Sequence, residues 1–258
     1  MTAWKALFRK ELRVGSLGFI MILGIELAVI ILGLYLQIRG QQKLAVSVTG
    51  VFLIGCHFFY LFGYLMINVI IEKKTLHLWL NHPLPGWSLL AAKLAGGVVG
   101  MTVSLFIACI YTWTGFMISG QMNNVPEGLH IYRIAAAAIF FLYWVAIYGG
   151  ITFLLIWLAF RCMRTRVGRA AWLLMIFILG LAVFLIGKLT QAGVTTALMD
   201  WGPLPEPAYH FFVSASLARE LDLSSMPVYL GNFVVDLVIM LIFYGLSSWL
   251  LDRKMEVG

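Results

Sequence analysis

The chain has 258 residues, of which 62% are hydrophobic and only 11% charged, with a mean hydropathy of +0.96 and a formal net charge of +7. Soluble domains carry about 25% charged residues, so the composition excludes an ordinary globular fold and points to an integral membrane protein. The positive surplus has no soluble basic face to occupy, which makes it a topology signal rather than a sign of nucleic-acid binding.

Residues 2–14, TAWKALFRKELRV, place Trp4, Leu7, Phe8 and Leu12 on one helical face with Lys5, Arg9 and Arg13 opposite. That pattern predicts an amphipathic helix in the inner interface, or a positively charged flank that happens to be helical. Six apolar runs follow, at residues 16–37, 44–71, 94–119, 134–160, 170–187 and 228–251. Each is close to the roughly 20 residues that cross about 30 Å of hydrocarbon as a helix, and none shows the alternation of a transmembrane barrel. The shortest is the fifth. The first is too long, and lacks a small-residue cleavage site after it, to read as a removed signal peptide. Cys56, Cys109 and Cys162 show no paired spacing and indicate neither a disulfide framework nor a zinc site.

The basic residues orient the chain. With the N-terminus inside, Lys5, Arg9, Lys10, Arg13, Lys73, Lys74, Lys93, Arg161, Arg164, Arg166, Arg169, Arg253 and Lys254 are cytoplasmic. Only Arg39, Lys43, Arg133, Lys188 and Arg219 are then outside, so the positive-inside rule puts both termini in the cytoplasm.

Between the second and third runs lies a polar, proline-punctuated insert, EKKTLHLWLNHPLPGWSLLAAK, from Glu72 to Lys93. Leu76, Trp79 and Leu80 have helical spacing, and Pro83 and Pro85 stop a regular helix. Trp87, Leu90, Ala91 and Leu94 resume that spacing into the third span. There Ala92, Gly96 and Gly100 form a small-xxx-small series that lets another helix approach closely, with ordinary packing in the bundle as the simpler reading. The four arginines in RCMRTRVGR, residues 161–169, suit anionic headgroups; contact with a cytoplasmic partner is the alternative.

The outer segment 188–225 contains DWGPLPEPAYHFF, in which Pro203, Pro205 and Pro207 exclude a regular helix and the aromatics suit the membrane boundary. It reads as a gate over an outward exit or as a plain interfacial loop. Two acids fall inside spans, Glu26 in the first and Asp236 in the sixth. Each costs about 2.5–3.5 kcal/mol if central and lipid-facing, so each is expected to face protein or water. With His57 and Asn68 of the second span they form a candidate intramembrane polar site, for proton or substrate handling or as hydrogen-bonded struts.

The chain has no phosphate-binding G-x-x-x-x-G-K-[ST] loop, so ATP-driven work needs a second protein. No constellation for intramembrane proteolysis is apparent, and His77 and His82 lack an acidic residue to complete a metal set. Neither an inverted repeat nor a filter loop marks a secondary carrier or a channel.

An N-terminal amphipathic helix, six spans and a loop carrying Glu72, Lys73, Thr75, Leu76, Pro83, Leu84, Leu89, Leu90, Lys93 and Leu94 together resemble the permease subunits of ABC-2-type ATP-binding-cassette transporters. The sequence-specific part covers about 25 residues. The resemblance implies an all-α membrane protein whose loop is a coupling helix, docking on a cytoplasmic ATPase through Leu76, His77, Leu78, Trp79, Leu80, Asn81, His82 and Pro83. Two departures bear on the choice of ATPase: Lys74 stands where the family often has Gly, and Pro85-Gly86 where it often has Ser-Arg. The family further implies that ATP and magnesium bind the partner ATPase and not this chain. It implies pairing with a second permease copy or paralogue, and a bacterial plasma-membrane location. The function expected is export of an amphipathic or lipid-like substrate such as a peptide. The competing readings are an ion channel or secondary transporter, and a membrane enzyme or assembly factor without transport.

Overall fold

The computed structural model describes residues 3–40, 42–72, 84–120, 125–205, 208, 210–214, 217 and 228–254. The described chain is all-helical, with two isolated antiparallel bridges. In order, the helices are α1 (Ala3–Arg39), α2 (Ala45–Cys56), a 3-10 turn at His57–Phe59, α3 (Tyr60–Glu72), α4 (Gly86–Ser119), α5 (Ile131–Val167), a 3-10 turn at Gly168–Ala170, α6 (Ala171–Gln191), α7 (Val194–Met199) and α8 (Leu230–Lys254). None of the described prolines, Pro85, Pro126, Pro203 and Pro205, falls within them, as expected of a residue that removes a donor and clashes with the preceding turn.

Five helical segments are long and apolar enough to cross a membrane: residues 4–39, 45–72, 86–119, 131–191 and 230–252. The fourth, 61 residues long, contains the expected spans 134–160 and 170–187. Gly168, with φ of +64°, separates its two helices. The arginines of residues 161–169 therefore do not form a loop: Arg161, Arg164 and Arg166 lie on the last turns of α5, where positive charge complements the helix dipole.

Two expectations about the starts of α1 and α4 are revised. The N-terminal helix and first span form one helix, α1, and its buried line is Leu7, Glu11, Gly15 and Gly18 rather than an apolar face led by Trp4, which is exposed. At the start of α4, Trp87 is exposed while Lys93 is only 2% exposed. Both shifts have one cause: the acid at position 11 and the base at position 93 turn inward to meet each other.

Contacts divide the chain into two compact units. The first comprises Met1–Pro126 and Ile139–Phe153, the second Glu127–Ala138 and Leu154–Gly258. In the first unit α1, the α2–α3 pair and α4 pack together around Val46, Leu53, Ala108 and Tyr111. The middle of α5 joins them through Phe153 against Phe62 and a hydrogen bond from Tyr143 Oη to Thr102. In the second unit, Leu129 bridges Val213, and Arg133 donates to the Phe211 carbonyl. The start of α8 is tied back to residues 201–204. Much of α6 is apolar and exposed, as a lipid-facing helix requires.

Glycines set how closely the helices of the first unit approach. A Cβ on Gly50 would stand 2.8 Å from Thr112 Cα, and one on Gly115 would stand 2.9 Å from the Ser47 nitrogen, so α2 and α4 meet backbone to backbone. Gly24, by contrast, faces open space. Gly50→Ala is expected to lower the midpoint of thermal unfolding in detergent, by an overpacking cost of about 1–3 kcal/mol. Gly24→Ala is expected to leave that midpoint unchanged or slightly raised.

Candidate functional site

Three charged side chains meet at one end of the first unit. Lys93 Nζ donates to Glu11 Oε2 at 2.8 Å and to Glu72 Oε2 at 2.5 Å. Glu11 is 1% exposed and Glu72 7%. Their positions follow from helical register: residue 11 lies on α1, 72 ends α3 and 93 lies on the second turn of α4. Charges this deep are stable only when paired and hydrogen-bonded. The triad ties α1 to both ends of the loop between α3 and α4.

A line of polar groups continues along α3 and α2. Asn68 is buried against α1, where a Cβ on Gly18 would stand 3.4 Å from its Oδ1. Tyr64 fills the space beside Gly15, whose Cβ would overlap the phenol oxygen. Its ring stacks on Tyr60 at 6.2 Å, and Tyr60 stacks on His57 at 5.6 Å. Gly100 makes room for Tyr60, because a Cβ there would lie 3.0 Å from the phenol oxygen.

At mid-span the line reaches Glu26, Ser104 and His57. Ser104 Oγ donates to Glu26 Oε2, and His57 Nε2 lies 3.0 Å from Ser104 Oγ. The other imidazole nitrogen, Nδ1, is 2.8 Å from the Leu53 carbonyl. That carbonyl only accepts, so Nδ1 carries a proton. Two arrangements then satisfy every contact. In one, Glu26 is ionised, accepts from Ser104, and an imidazolium donates to Ser104. In the other, a protonated Glu26 donates to Ser104, which donates to neutral His57. Both are neutral overall, and a shift of protons through the Ser104 hydroxyl interconverts them.

The 3-10 turn at His57–Phe59 interrupts the second span at this height. Such mid-helix interruptions often accompany functional sites. A pocket of about 200 Å³ adjoins it, lined by Glu26, His57, Ser104 and Tyr60 among apolar side chains. Further along, Thr49 and Tyr111 hydrogen-bond at 2.9 Å and Ser47 meets Ser119 at 3.4 Å.

Of the residues expected to form an intramembrane polar site, Glu26 and His57 are brought together through Ser104. Asn68 sits along the same line toward Glu72, and Asp236 lies half-buried on α8 in the second unit. The expected docking residues Leu76–Pro83 lie outside the described residues. Sequence reasoning did not single out Ser104, Glu11, Tyr60 or Tyr64 as site residues. The available signal was spacing: Lys93, Gly97, Gly100, Ser104 and Ala108 recur every three or four residues, as do Glu11, Gly15, Gly18, Ile22 and Glu26. No protein-family model, curated protein or solved structure matches the chain.

Removing Lys93 alone would take from the buried Glu11 and Glu72 carboxylates the cation they both meet. Lys93→Met is expected to destabilise the protein by about 3–5 kcal/mol, read as a lowered unfolding midpoint in detergent. Adding Glu11→Gln and Glu72→Gln is expected to recover most of that loss, because the combined variant removes both buried carboxylates together with the lysine that neutralised them.

Proposed function

We propose that this chain is the membrane-spanning subunit of an ATP-binding-cassette transporter of ABC-2 type, with six spans and both termini cytoplasmic. It would export an amphipathic or lipid-like substrate such as a peptide. A separate cytoplasmic ATPase supplies the energy and holds the ATP and magnesium, and a second permease copy or paralogue completes the pathway. The plasma membrane of a bacterium is its proposed location.

The observation that supports this reading most is the clamp on the loop. Glu72 immediately precedes residues 73–83 and Lys93 follows them by ten residues; the two are ion-paired, and Lys93 also pairs with Glu11 of α1. A push or pull on the loop is thereby delivered to three membrane helices at once. An insert serving only to connect two spans has no need of buried charges at both its ends. The loop's own sequence supplies what a motor would grip, a short apolar face of Leu76, Trp79 and Leu80, in the manner of a helix lying in a groove.

Trp79 is the anchor in this account, since buried aromatics dominate such contacts. Trp79→Ala is expected to weaken binding of the ATPase subunit by about tenfold or more and to reduce stimulated ATP hydrolysis, with membrane insertion intact. Unchanged co-purification and unchanged stimulation would remove the docking role.

A further inference from the structure

The junction of α5 and α6 carries four guanidinium groups in nine residues, Arg161, Arg164, Arg166 and Arg169, in a chain that is only 11% charged. None of the four is ion-paired with a carboxylate among the described residues. Arg161 lies over the Trp157 ring, 5.8 Å from its centroid and one turn back on α5, while Arg164, Arg166 and Arg169 are exposed. The backbone does not supply the missing charge. The C-terminus of α5 at Val167 offers about half a negative charge, and the N-terminus of α6 at Ala171 about half a positive one. These ends are four residues apart and nearly cancel, so the arginines are left to be neutralised from outside the chain.

The neighbouring residues decide what does so. Apolar runs at 134–160 and 170–187 flank the junction, each about long enough to cross the hydrocarbon, which puts the arginines at a membrane surface. Val167, Trp172 and Leu173 stand beside them, each at least half exposed. From Trp172 to Gly187 every residue is apolar. An acidic protein segment would meet the guanidiniums and leave those apolar side chains uncovered. A phospholipid covers both, with acyl chains on the apolar side chains and phosphate at the arginines, whose planar fork donates two parallel hydrogen bonds to phosphate. One singly charged headgroup neutralises only one of the four. A lipid with two phosphates brings the second already tethered, which costs less ordering than recruiting another molecule.

We propose that the α5–α6 junction binds a phospholipid carrying two phosphate groups per molecule, held through Arg164, Arg166 and Arg169, with Arg161 at the edge of the apolar run. The site lies within the second unit and is independent of the transporter reading.

The test places the full chain in phosphatidylcholine nanodiscs containing either diphosphatidylglycerol or phosphatidylglycerol at equal headgroup charge, and counts retained lipid by native mass spectrometry. Diphosphatidylglycerol is expected to be retained about tenfold more strongly at matched charge. A photoactivatable derivative of it is expected to label residues 157–173. Arg164→Gln, Arg166→Gln and Arg169→Gln are each expected to cost about fivefold in retention. Lys188→Gln, which removes a cation from the other end of α6, is expected to cost nothing. Equal retention of the two lipids at matched charge, labelling confined to other segments, or an equal loss in Lys188→Gln would overturn the proposal. Arginine-dependent capture of an acidic protein, with no preference between lipids, would overturn it as well and assign the patch to a protein partner.

Discussion

A charge buried among apolar helices must be paired, and in the first unit that requirement is met by Lys93 held between Glu11 and Glu72. The pairing accounts for features that apolar burial alone does not. It turns a lysine inward at the start of α4 and leaves the neighbouring Trp87 exposed. It draws the N-terminal part of α1, which is continuous with the first span, to the point where residues 72 and 93 meet. Three helices thus acquire a fixed register where they meet.

From that point polar side chains follow a single line toward the middle of the unit. Tyr64, Tyr60 and His57 succeed one another along α3 and the 3-10 turn, and glycines on α1 and α4 give them room. The line leads to the Glu26, Ser104 and His57 array, where proton positions are coupled because one hydroxyl serves two neighbours. The 3-10 turn lies beside this array and the pocket, so a change in the array and a change in the helix break would act on the same few residues.

The sequence made the membrane character and most helix limits legible, because about 20 consecutive apolar residues leave few alternatives and the prolines fall between the runs. The candidate site was legible in part. Glu26 and His57 stood out as polar residues in apolar runs. Ser104 did not, since a serine in a membrane helix commonly bonds its own backbone. Glu11 was masked by the basic residues around it, which made an interfacial reading of Trp4, Leu7, Phe8 and Leu12 natural. Lys93 was expected as a cytoplasmic cation; that it is buried follows only from the three-dimensional meeting of α1, α3 and α4. Hydrophobic pattern reports which residues avoid water and says nothing of which charges find each other.

The first unit carries an ion-paired cluster at one end and a polar array at its middle, and the proposed function draws its energy from another protein. Affinity purification of the full chain from its native membrane, followed by identification of retained subunits and an ATP-hydrolysis assay, tests that claim most directly. The account predicts a stoichiometric partner with a phosphate-binding loop and ATP hydrolysis that depends on the loop at residues 73–83. A chain that purifies without such a partner, or whose partner hydrolyses ATP identically when the loop is replaced, would contradict it.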